Sequence, residues 1–272
     1  MKKLRRYIKF YLKVYFLKFV SFFLVKIQFY ILPNFSKEYL SKVDFSKENN
    51  SFFFKKVNNK FDLLKIDTSN LKSDLCKLGA KYDTDKSPYS KNSWHRHPYT
   101  GVYDIFFSRL RNKKFNFAEI GIGIKIKGIK TFRKYFSKAK IYGFEFDQNN
   151  LKTGKRLKLK NTFFSRIDVR IPENIDAAFS KTKKKFDIII DDSSHDIPDQ
   201  INIIKRCAKY LVSGGILVIE DIFVKKNIEL EFINLIGKTC SKFEKIIFVD
   251  CNHINKYSKN WNNDKLCFLI KS

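Results

Sequence analysis

The chain has 272 residues, of which 44% are hydrophobic and 30% are charged, and its formal net charge is +28. This length and composition exclude a disordered or fibrous chain and predict one large globular domain, or a domain with an appendage. The five cysteines stand singly without a CxxC pair, so they indicate neither a disulfide framework nor a thiolate zinc site. The charge favours an anionic partner, which could be nucleic acid, anionic lipid or a phosphate-bearing substrate, although AT-rich codon usage would also enrich lysine.

The first 60 residues differ from the rest of the chain, because they carry 14 Lys or Arg against 3 Asp or Glu. A membrane span needs roughly 20 mainly apolar residues, whereas the longest uncharged run before residue 26 covers only residues 19–25. We expect residues 1–32 to lie on an anionic membrane surface or to pack on the domain or on a partner. Several basic residues gather on one side at helical spacing, as in an interfacial helix: Lys2, Arg5, Arg6, Lys9 and Lys13.

From residue 71 onward, strand and helix signals alternate. This alternation predicts an α/β fold with a doubly wound, mostly parallel sheet of seven strands. No helical signal joins the last two strands, so an antiparallel pair is expected at the sheet edge. We therefore divide the chain into a basic segment with a connector of some local structure, residues 1–70, and an α/β domain, residues 71–272. The predicted strands are 115–120, 140–146, 162–167, 186–190, 216–219, 245–249 and 265–270, and the predicted helices are 71–78, 103–110, 126–136, 198–211 and 228–236.

The first strong strand is followed by the glycine-containing stretch EIGIGIK, residues 119–125. Glycines at this point let the chain turn tightly and let a ligand approach the backbone near a helix start. A dinucleotide site is disfavoured because Ile126 stands where the third glycine of a GxGxxG pattern would be. The next strand ends in Glu145 and Asp147, which are placed to accept ribose hydroxyls, and Glu145 is the preferred residue. The order of glycines and acids predicts a nucleoside-binding site.

Two later strands end in acidic residues, in the stretches FDIIIDDSSHD and LVIEDI. Because the carboxyl ends of neighbouring parallel strands meet at one edge, the carboxylates of Asp192, Glu220 and Asp221 could converge there. Such oxygen donors suit Mg²⁺ or Mn²⁺, and the nearby His195 could take a proton. The alternative is that these residues serve only as turn and helix-cap residues, with Asp196 capping the next helix.

Taken together, EIGIG, IYGFEFD, IIIDDSSHD and LVSGGILVIEDI resemble the class I S-adenosylmethionine-dependent methyltransferases. The closer resemblance is to the group of macrolide-sugar and bacterial polysaccharide O-methyltransferases. The upstream stretch LGAKYDTDKSPYSKNSWHRHPYTGVYDIFF is also similar to that group, so the resemblance covers about residues 77–271. Two features depart from it: Ser193 stands where the group usually has glycine, and the glycine loop is less rich in glycine.

The resemblance implies a Rossmann-like methyltransferase fold with S-adenosylmethionine and Mg²⁺ or Mn²⁺ as cofactors. It implies His195 as the base, with a sugar hydroxyl as the methyl acceptor. The sugar would be nucleotide-activated or lipid-linked and would belong to a surface polysaccharide, in a capsule or lipopolysaccharide. The expected cofactor-binding residues are Glu119, Gly121, Gly123, Glu145, Asp168 and Asp191, of which Asp191 could instead orient its loop, and the implied metal ligands are Asp192, Glu220 and Asp221. On the substrate side, His97, Tyr99 and Tyr103 either line the lid of the active site or have core or surface roles.

Two other functions compete with this interpretation. The high positive charge is typical of a nucleic-acid methyltransferase, but the sequence has no base-pocket motif of the Asn-Pro-Pro-Tyr type and no recognisable RNA-binding appendage. A membrane-associated protein could also keep this fold without turnover, which the intact DDSSH and IED stretches disfavour. We expect a cytoplasmic enzyme that lies at the inner face of the membrane through residues 1–32 and does not bind nucleic acid. The sequence does not determine its oligomeric state, and a homo-oligomer is one of the alternatives.

Overall fold

An eight-stranded β-sheet forms the centre of the part of the chain that the computed structural model describes, residues 61–259 and 261–272. The strand order is β1-β8-β10-β7-β6-β3-β4-β5. All neighbours in this order are parallel except β10, which runs antiparallel to both β7 and β8. The strands are β1 Phe61–Asp67, β3 Asn116–Ile120, β4 Lys140–Glu145, β5 Thr162–Arg166, β6 Phe186–Asp191, β7 Leu211–Ile219, β8 Phe243–Asn252 and β10 Lys265–Lys271.

This arrangement confirms the predicted mostly parallel α/β fold and adds one strand to it. The additional strand, β1, lies within the stretch expected to be a connector, and it pairs in parallel with β8 from Phe61↔Ile246 to Asp67↔Asn252. The antiparallel pair β8–β10 is present as predicted, but it is not at the sheet edge because β1 covers β8. A ring contact of 5.6 Å between Phe61 and Phe248 helps to hold β1 in place.

Seven α-helices of the described residues accompany the sheet. Two of them, α4 and α5, were not predicted, although both carry ordinary start signals. Asp147 caps α4 by accepting hydrogen bonds from two backbone amides, and Pro172 occupies the first turn of α5. The helices are α1 Asp74–Tyr82, α2 Tyr99–Phe107, α3 Lys127–Tyr135, α4 Gln148–Arg156, α5 Pro172–Thr182, α6 Ile197–Cys207 and α7 Ile228–Ile236.

A short two-stranded ribbon lies outside the main sheet. It is formed by β2, His95–Arg96, and β9, Tyr257–Ser258, which pair antiparallel. The ribbon joins a segment that precedes α2 to the loop between β8 and β10.

The core consists largely of aromatic and β-branched side chains. On β6, Ile188, Ile189 and Ile190 are all completely buried, which is expected for a parallel strand covered on both faces. Phe117 on β3 lies 4.8 Å from Phe132 on α3, measured between ring centroids. Burying one such side chain stabilises a fold by about 1.5–3 kcal/mol, so these contacts fix the strands whose carboxyl ends carry the site described below. None of the described helices is long and apolar enough to cross a membrane.

Candidate active site at the carboxyl edge of the sheet

An open cavity of about 510 Å³ lies at the carboxyl ends of β3, β4 and β6. This is the edge at which open α/β sheets bind their ligands. Of the predicted cofactor-binding residues, four line it: Gly121, Gly123, Glu145 and Asp168. The structure therefore brings most of the predicted nucleoside site together.

The glycine loop, residues 119–125, closely approaches the loop that follows β6, and it does so at Gly121. This residue has φ +80°, and a β-carbon on it would lie 2.0 Å from the backbone oxygen of Asp192, which is far inside van der Waals contact. Gly123 also has a positive φ, +61°, but a β-carbon there would meet open space. The first glycine is thus required by packing, whereas the second is favoured by the backbone conformation alone.

Glu145 is held rigidly in the cavity wall by backbone amides. Its Oε2 accepts a hydrogen bond from the amide of Gly123 at 3.1 Å, and its Oε1 accepts from the amides of Phe146 and Asp147 at 2.7 and 2.9 Å. Each carboxylate oxygen has two lone pairs, so Oε2 retains capacity for a further donor. This arrangement suits a carboxylate that accepts a hydrogen bond from a ribose hydroxyl of a nucleoside.

The opposite wall contains an ion pair that the sequence interpretation did not include. Arg170 donates two hydrogen bonds to Asp168, from Nε and Nη2, both at 2.8 Å, and its hydrogen bonds lower the pKa of Asp168. The same guanidinium lies 4.7 Å from the centre of the Phe146 ring. Phe146 is 47% exposed, so it offers an open aromatic face beside Glu145. The sequence feature that could have indicated Arg170 is its position two residues after Asp168, a predicted cofactor-binding residue.

Two predicted cofactor residues, Glu119 and Asp191, do not line this cavity. Glu119 is buried with its Oε1 3.6 Å from the ammonium of Lys86, and burial raises the pKa of Glu119 to about 8. Asp191 accepts a hydrogen bond from Ser193 Oγ at 2.6 Å, and burial raises the pKa of Asp191 to about 7. Asp191 therefore orients the loop that follows β6, and Ser193, the departure from the family pattern, is its partner.

Lys86, which lies in the upstream stretch similar to the family and had no predicted role, is the central residue of a buried ion cluster. Only 3% of it is exposed, and its Nζ donates to Asp192 Oδ2 and, at 2.7 Å, to Glu220 Oε2. Burial alone would lower its pKa, but the carboxylates of Asp192, Glu220 and Glu119 raise the pKa of Lys86 well above its ordinary value. The lysine is therefore charged, and it joins the ends of β3, β6 and β7.

The two tyrosines predicted on the substrate side bind the acids instead. The Tyr103 hydroxyl donates to Glu220 Oε1 at 2.6 Å, and the Tyr99 hydroxyl donates to Asp221 Oδ1 at 2.5 Å. Both rings are completely buried, so neither presents a face to a substrate. Their role in this structure is to orient carboxylates.

A candidate metal site is formed by Asp192, His195 and Asp221, one ligand atom of each lying within 4.8 Å of the others. His195 Nε2 lies 3.5 Å from Asp221 Oδ2 and 3.9 Å from Asp192 Oδ1. The buried Nδ1 of His195 has no hydrogen-bond partner among the described residues. Carboxylate oxygens suit both Mg²⁺ and Mn²⁺, and an imidazole nitrogen suits Mn²⁺ better than Mg²⁺. The residues present therefore fit a divalent cation.

Glu220, a predicted ligand, is not in this group. Both of its carboxylate oxygens are engaged, one by Lys86 and one by Tyr103. The next residue, Asp221, which does belong to the group, has φ +55°, a left-handed backbone conformation. His195 shares this conformation with φ +60°. Such conformations in non-glycine residues cluster at functional sites.

His97 lies on the far side of Asp221 from His195. Its Nδ1 is 2.9 Å from Asp264 Oδ1, and its Nε2 is 3.8 Å from Asp221 Oδ1. Burial alone would lower the pKa of His97, but Asp221 and Asp264 raise it above its ordinary value. With only 4% of its surface exposed, His97 is placed to support Asp221.

Comparison with known proteins gives one family match and several partial likenesses. The family described as "Methyltransferase domain" matches residues 123–265, more than half of the chain. The 8-demethyl-8-(2-methoxy-alpha-L-rhamnosyl)-tetracenomycin-C 3'-O-methyltransferase of Streptomyces olivaceus is 26% identical over 162 residues, which is 55% of this chain and 37% of that protein. The MycE methyltransferase of the mycinamycin biosynthetic pathway, solved with Mg and SAH, is 25% identical over 55% of this chain and 37% of its own, with a TM-score of 0.46.

The chain thus spans little more than a third of the length of these two relatives. The family match covers the glycine loop from Gly123, both acidic strand ends and β10 up to its first residue. On that match, this chain belongs to the methyltransferase domain family.

Proposed function

We propose that this domain transfers a methyl group from S-adenosylmethionine to a sugar hydroxyl, with a divalent cation held beside the acceptor. The observation that carries the proposal is the position of Asp192. It lines the cavity that contains Glu145 and Asp168, and it also belongs to the group formed with His195 and Asp221. A donor in the cavity and an acceptor at the carboxylates would therefore lie next to each other, as methyl transfer requires.

The cavity supports the choice of donor. S-adenosylmethionine would supply a methyl group on a sulfonium sulfur. Glu145 is fixed to accept ribose hydroxyls, and Phe146 offers an open aromatic face for a base. Gly123, which is positioned with open space above its α-carbon, allows the ligand to approach the backbone.

The acid and imidazole group supports the choice of chemistry. A cation bound there would lower the pKa of a coordinated hydroxyl. Asp192 and Asp221 would hold the cation, which leaves the lone pair of His195 Nε2 free to take the hydroxyl proton as the methyl group is transferred, and Asp221 at 3.5 Å then stabilises the imidazolium. Tyr99 and His97 hold Asp221 in place while this charge develops.

The acceptor is proposed to be a sugar of a surface polysaccharide carried on a nucleotide or a lipid. The support for a sugar is the relative named for 3'-O-methylation of a rhamnosyl group. The support for a carrier that bears phosphate is the net charge of +28. The same charge would let residues 1–32, which lie outside the described residues, attach the enzyme to anionic lipid.

The test is turnover of labelled S-adenosylmethionine on a panel of nucleotide sugars, simple rhamnosides and RNA, with and without chelator. His195→Ala should lower turnover by about 10² to 10⁴-fold and leave cofactor binding unchanged. Asp192→Asn should also remove the stimulation by Mg²⁺ or Mn²⁺. Controls are His253→Gln and Asp62→Asn, since neither residue lies in the cavity or the metal group.

The outcomes separate the roles of these groups. If chelator has no effect on wild-type turnover, the cation has no part in the reaction. If His195→Ala keeps normal turnover but no longer responds to metal, His195 is a ligand and not the base. If RNA is methylated and no sugar is, the proposed acceptor class is wrong.

A further inference from the structure

A continuous column of aromatic rings leads from the candidate metal group to the protein surface. The ring of Tyr99 stacks on His97 with centroids 4.9 Å apart, and His97 is parallel to His95 at 6.0 Å, with an interplanar angle of 5°. His95 lies 5.0 Å from Trp261, which lies 5.8 Å from Phe223. The column therefore has five rings, in which two histidines connect the inner tyrosine to the two outer rings.

The column changes from buried to exposed along its length. Tyr99 is completely buried and His97 is 4% exposed, whereas Trp261 and Phe223 are 45% and 40% exposed. Trp94, adjacent to His95, is 83% exposed. The outer rings thus contact other rings of the column on one side and present apolar surface to solvent on the other.

The outer rings are held in place by the backbone around them. Ile222 donates to Lys265 O at 3.1 Å and Val224 donates to Asn262 O at 2.7 Å, so the segment carrying Phe223 is paired with the segment that follows Trp261. His95 is fixed by the β2–β9 ribbon and by a contact of 2.8 Å between its Nδ1 and Ser258 Oγ. The surface is preorganised, which lowers the entropic cost of binding.

Phe223 is only two residues from Asp221, so the α-carbons of these residues lie within about 7 Å of each other, and the Trp261 ring lies 5.8 Å from that of Phe223. A six-membered sugar ring is of similar size. A sugar that presents one hydroxyl to Asp221 and His195 can therefore rest an apolar face on these rings.

We propose that Phe223 and Trp261 form the acceptor subsite and bind the apolar face of a glycoside ring, with His95 supporting Trp261 from the protein side. The proposal rests on the proposed sugar methyl transfer and adds the residues that select the acceptor. The two outer rings expose on the order of 200 Å² together, taking 150–250 Å² for a whole aromatic side chain. This area suits a sugar and is well below the roughly 800 Å² per partner of a stable protein interface.

The variants are Trp261→Ala and Phe223→Ala, and the matched control is Phe163→Ala. Phe163 is also exposed, at 48%, and stacks on Tyr142 at 5.0 Å, but it lies on β5 at the other edge of the sheet. Each subsite variant should raise KM for the acceptor sugar on the order of tenfold, with kcat and the Kd for S-adenosylmethionine unchanged. The control should change none of these values.

Binding is measured independently of turnover by tryptophan fluorescence. The chain has two tryptophans, Trp94 and Trp261, so Trp94→Phe leaves Trp261 as the sole reporter. Methyl α-L-rhamnopyranoside, which does not absorb at the excitation wavelength, should shift the emission of this variant in a saturable manner. Thermal melting of each variant checks that it is folded.

The outcomes distinguish this subsite from the proposed reaction. If sugars are methylated and Trp261→Ala leaves KM unchanged, the subsite is wrong and the reaction stands. If no sugar is methylated but the rhamnoside still shifts Trp261 emission, the subsite stands and the reaction is wrong. If the variants leave KM unchanged and the rhamnoside gives no emission shift, the subsite is wrong. A change of oligomeric state in the ring variants also overturns it, because this face would then be an interface between copies.

Discussion

Replacing Lys86 by methionine should destabilise the protein in a way that depends on pH. The ammonium is buried between Asp192, Glu220 and Glu119. Methionine fills a similar volume but leaves these carboxylates without a counter-charge. Removing one partner of a buried ion pair costs about 3–5 kcal/mol, because the remaining charge is left in a low-dielectric environment.

Protonation limits this cost, and the limit can be worked out. One proton bound by the three carboxylates restores the charge that the lysine supplied. For a glutamate of ordinary pKa about 4.3, that proton costs about 1.36 kcal/mol per pH unit above the pKa. The upper limit is therefore about 5 kcal/mol at pH 8 and about 2 kcal/mol at pH 6.

The sign follows from the difference in bound protons. Burial already keeps a proton on Glu119 of the folded wild type below pH 8, and folded Lys86→Met holds one proton more. The unfolded variant releases that additional proton above about pH 4.3, so the stability lost relative to wild type grows as pH rises. The free energy of unfolding, measured by urea denaturation at pH 6 and pH 8, should show a loss relative to wild type that is at least 1 kcal/mol larger at pH 8.

The control for this experiment is Lys127→Met. Lys127 Nζ lies 2.9 Å from Asp83, but the two side chains are 30% and 22% exposed. Such a pair contributes about 0–1 kcal/mol, so the control should lose little stability at either pH. An equal loss for Lys86→Met at pH 6 and pH 8, or a loss no greater than that of the control, would refute the reasoning.

Two further predictions concern the cofactor and the membrane. Gly121→Val should abolish binding of S-adenosylmethionine in calorimetry because its side chain would meet the backbone of Asp192, and Glu145→Ala should weaken it. Gly214→Ala is the control, because Gly214 also has a positive φ, +72°, but lies in β7 where a β-carbon meets open space, so this variant should bind normally. Deleting residues 1–32 should remove salt-sensitive flotation with anionic liposomes without changing turnover, and equal flotation of both forms at low and high salt would exclude this role.

The parts of the site that could be predicted from sequence are those set by local pattern. Three consecutive isoleucines predict a strand buried on both faces, and all three are completely buried. A glycine after a strand predicts that another part of the backbone approaches closely. The backbone of Asp192 leaves no room for a side chain at Gly121. The antiparallel β8–β10 pair followed from the missing helical signal between them.

The parts that could not be predicted depend on contacts far apart in the chain. Lys86 lies 106 residues before Asp192 and 134 before Glu220, so no spacing rule connects them. The strand β1 was missed because the charged residues Asp62, Lys65 and Asp67 interrupt its apolar pattern. It also lies in a stretch rich in Asn and Lys. Glu220 is absent from the metal group because Lys86 and Tyr103, 134 and 117 residues before it, bind its two carboxylate oxygens.

The same long-range contacts connect the two halves of the site. Asp192 touches Lys86 through its side chain, and its backbone oxygen occupies the space beside Gly121. A ligand that moves the glycine loop must therefore move the backbone of a carboxylate that faces His195. Because Lys86 also holds Glu220, and Tyr103 holds Glu220 from the other side, this displacement is resisted by buried ionic contacts at the ends of three strands. The rigidity of the cluster would thus keep the proposed donor and acceptor sites in a fixed relation, which is what an in-line methyl transfer requires of its protein.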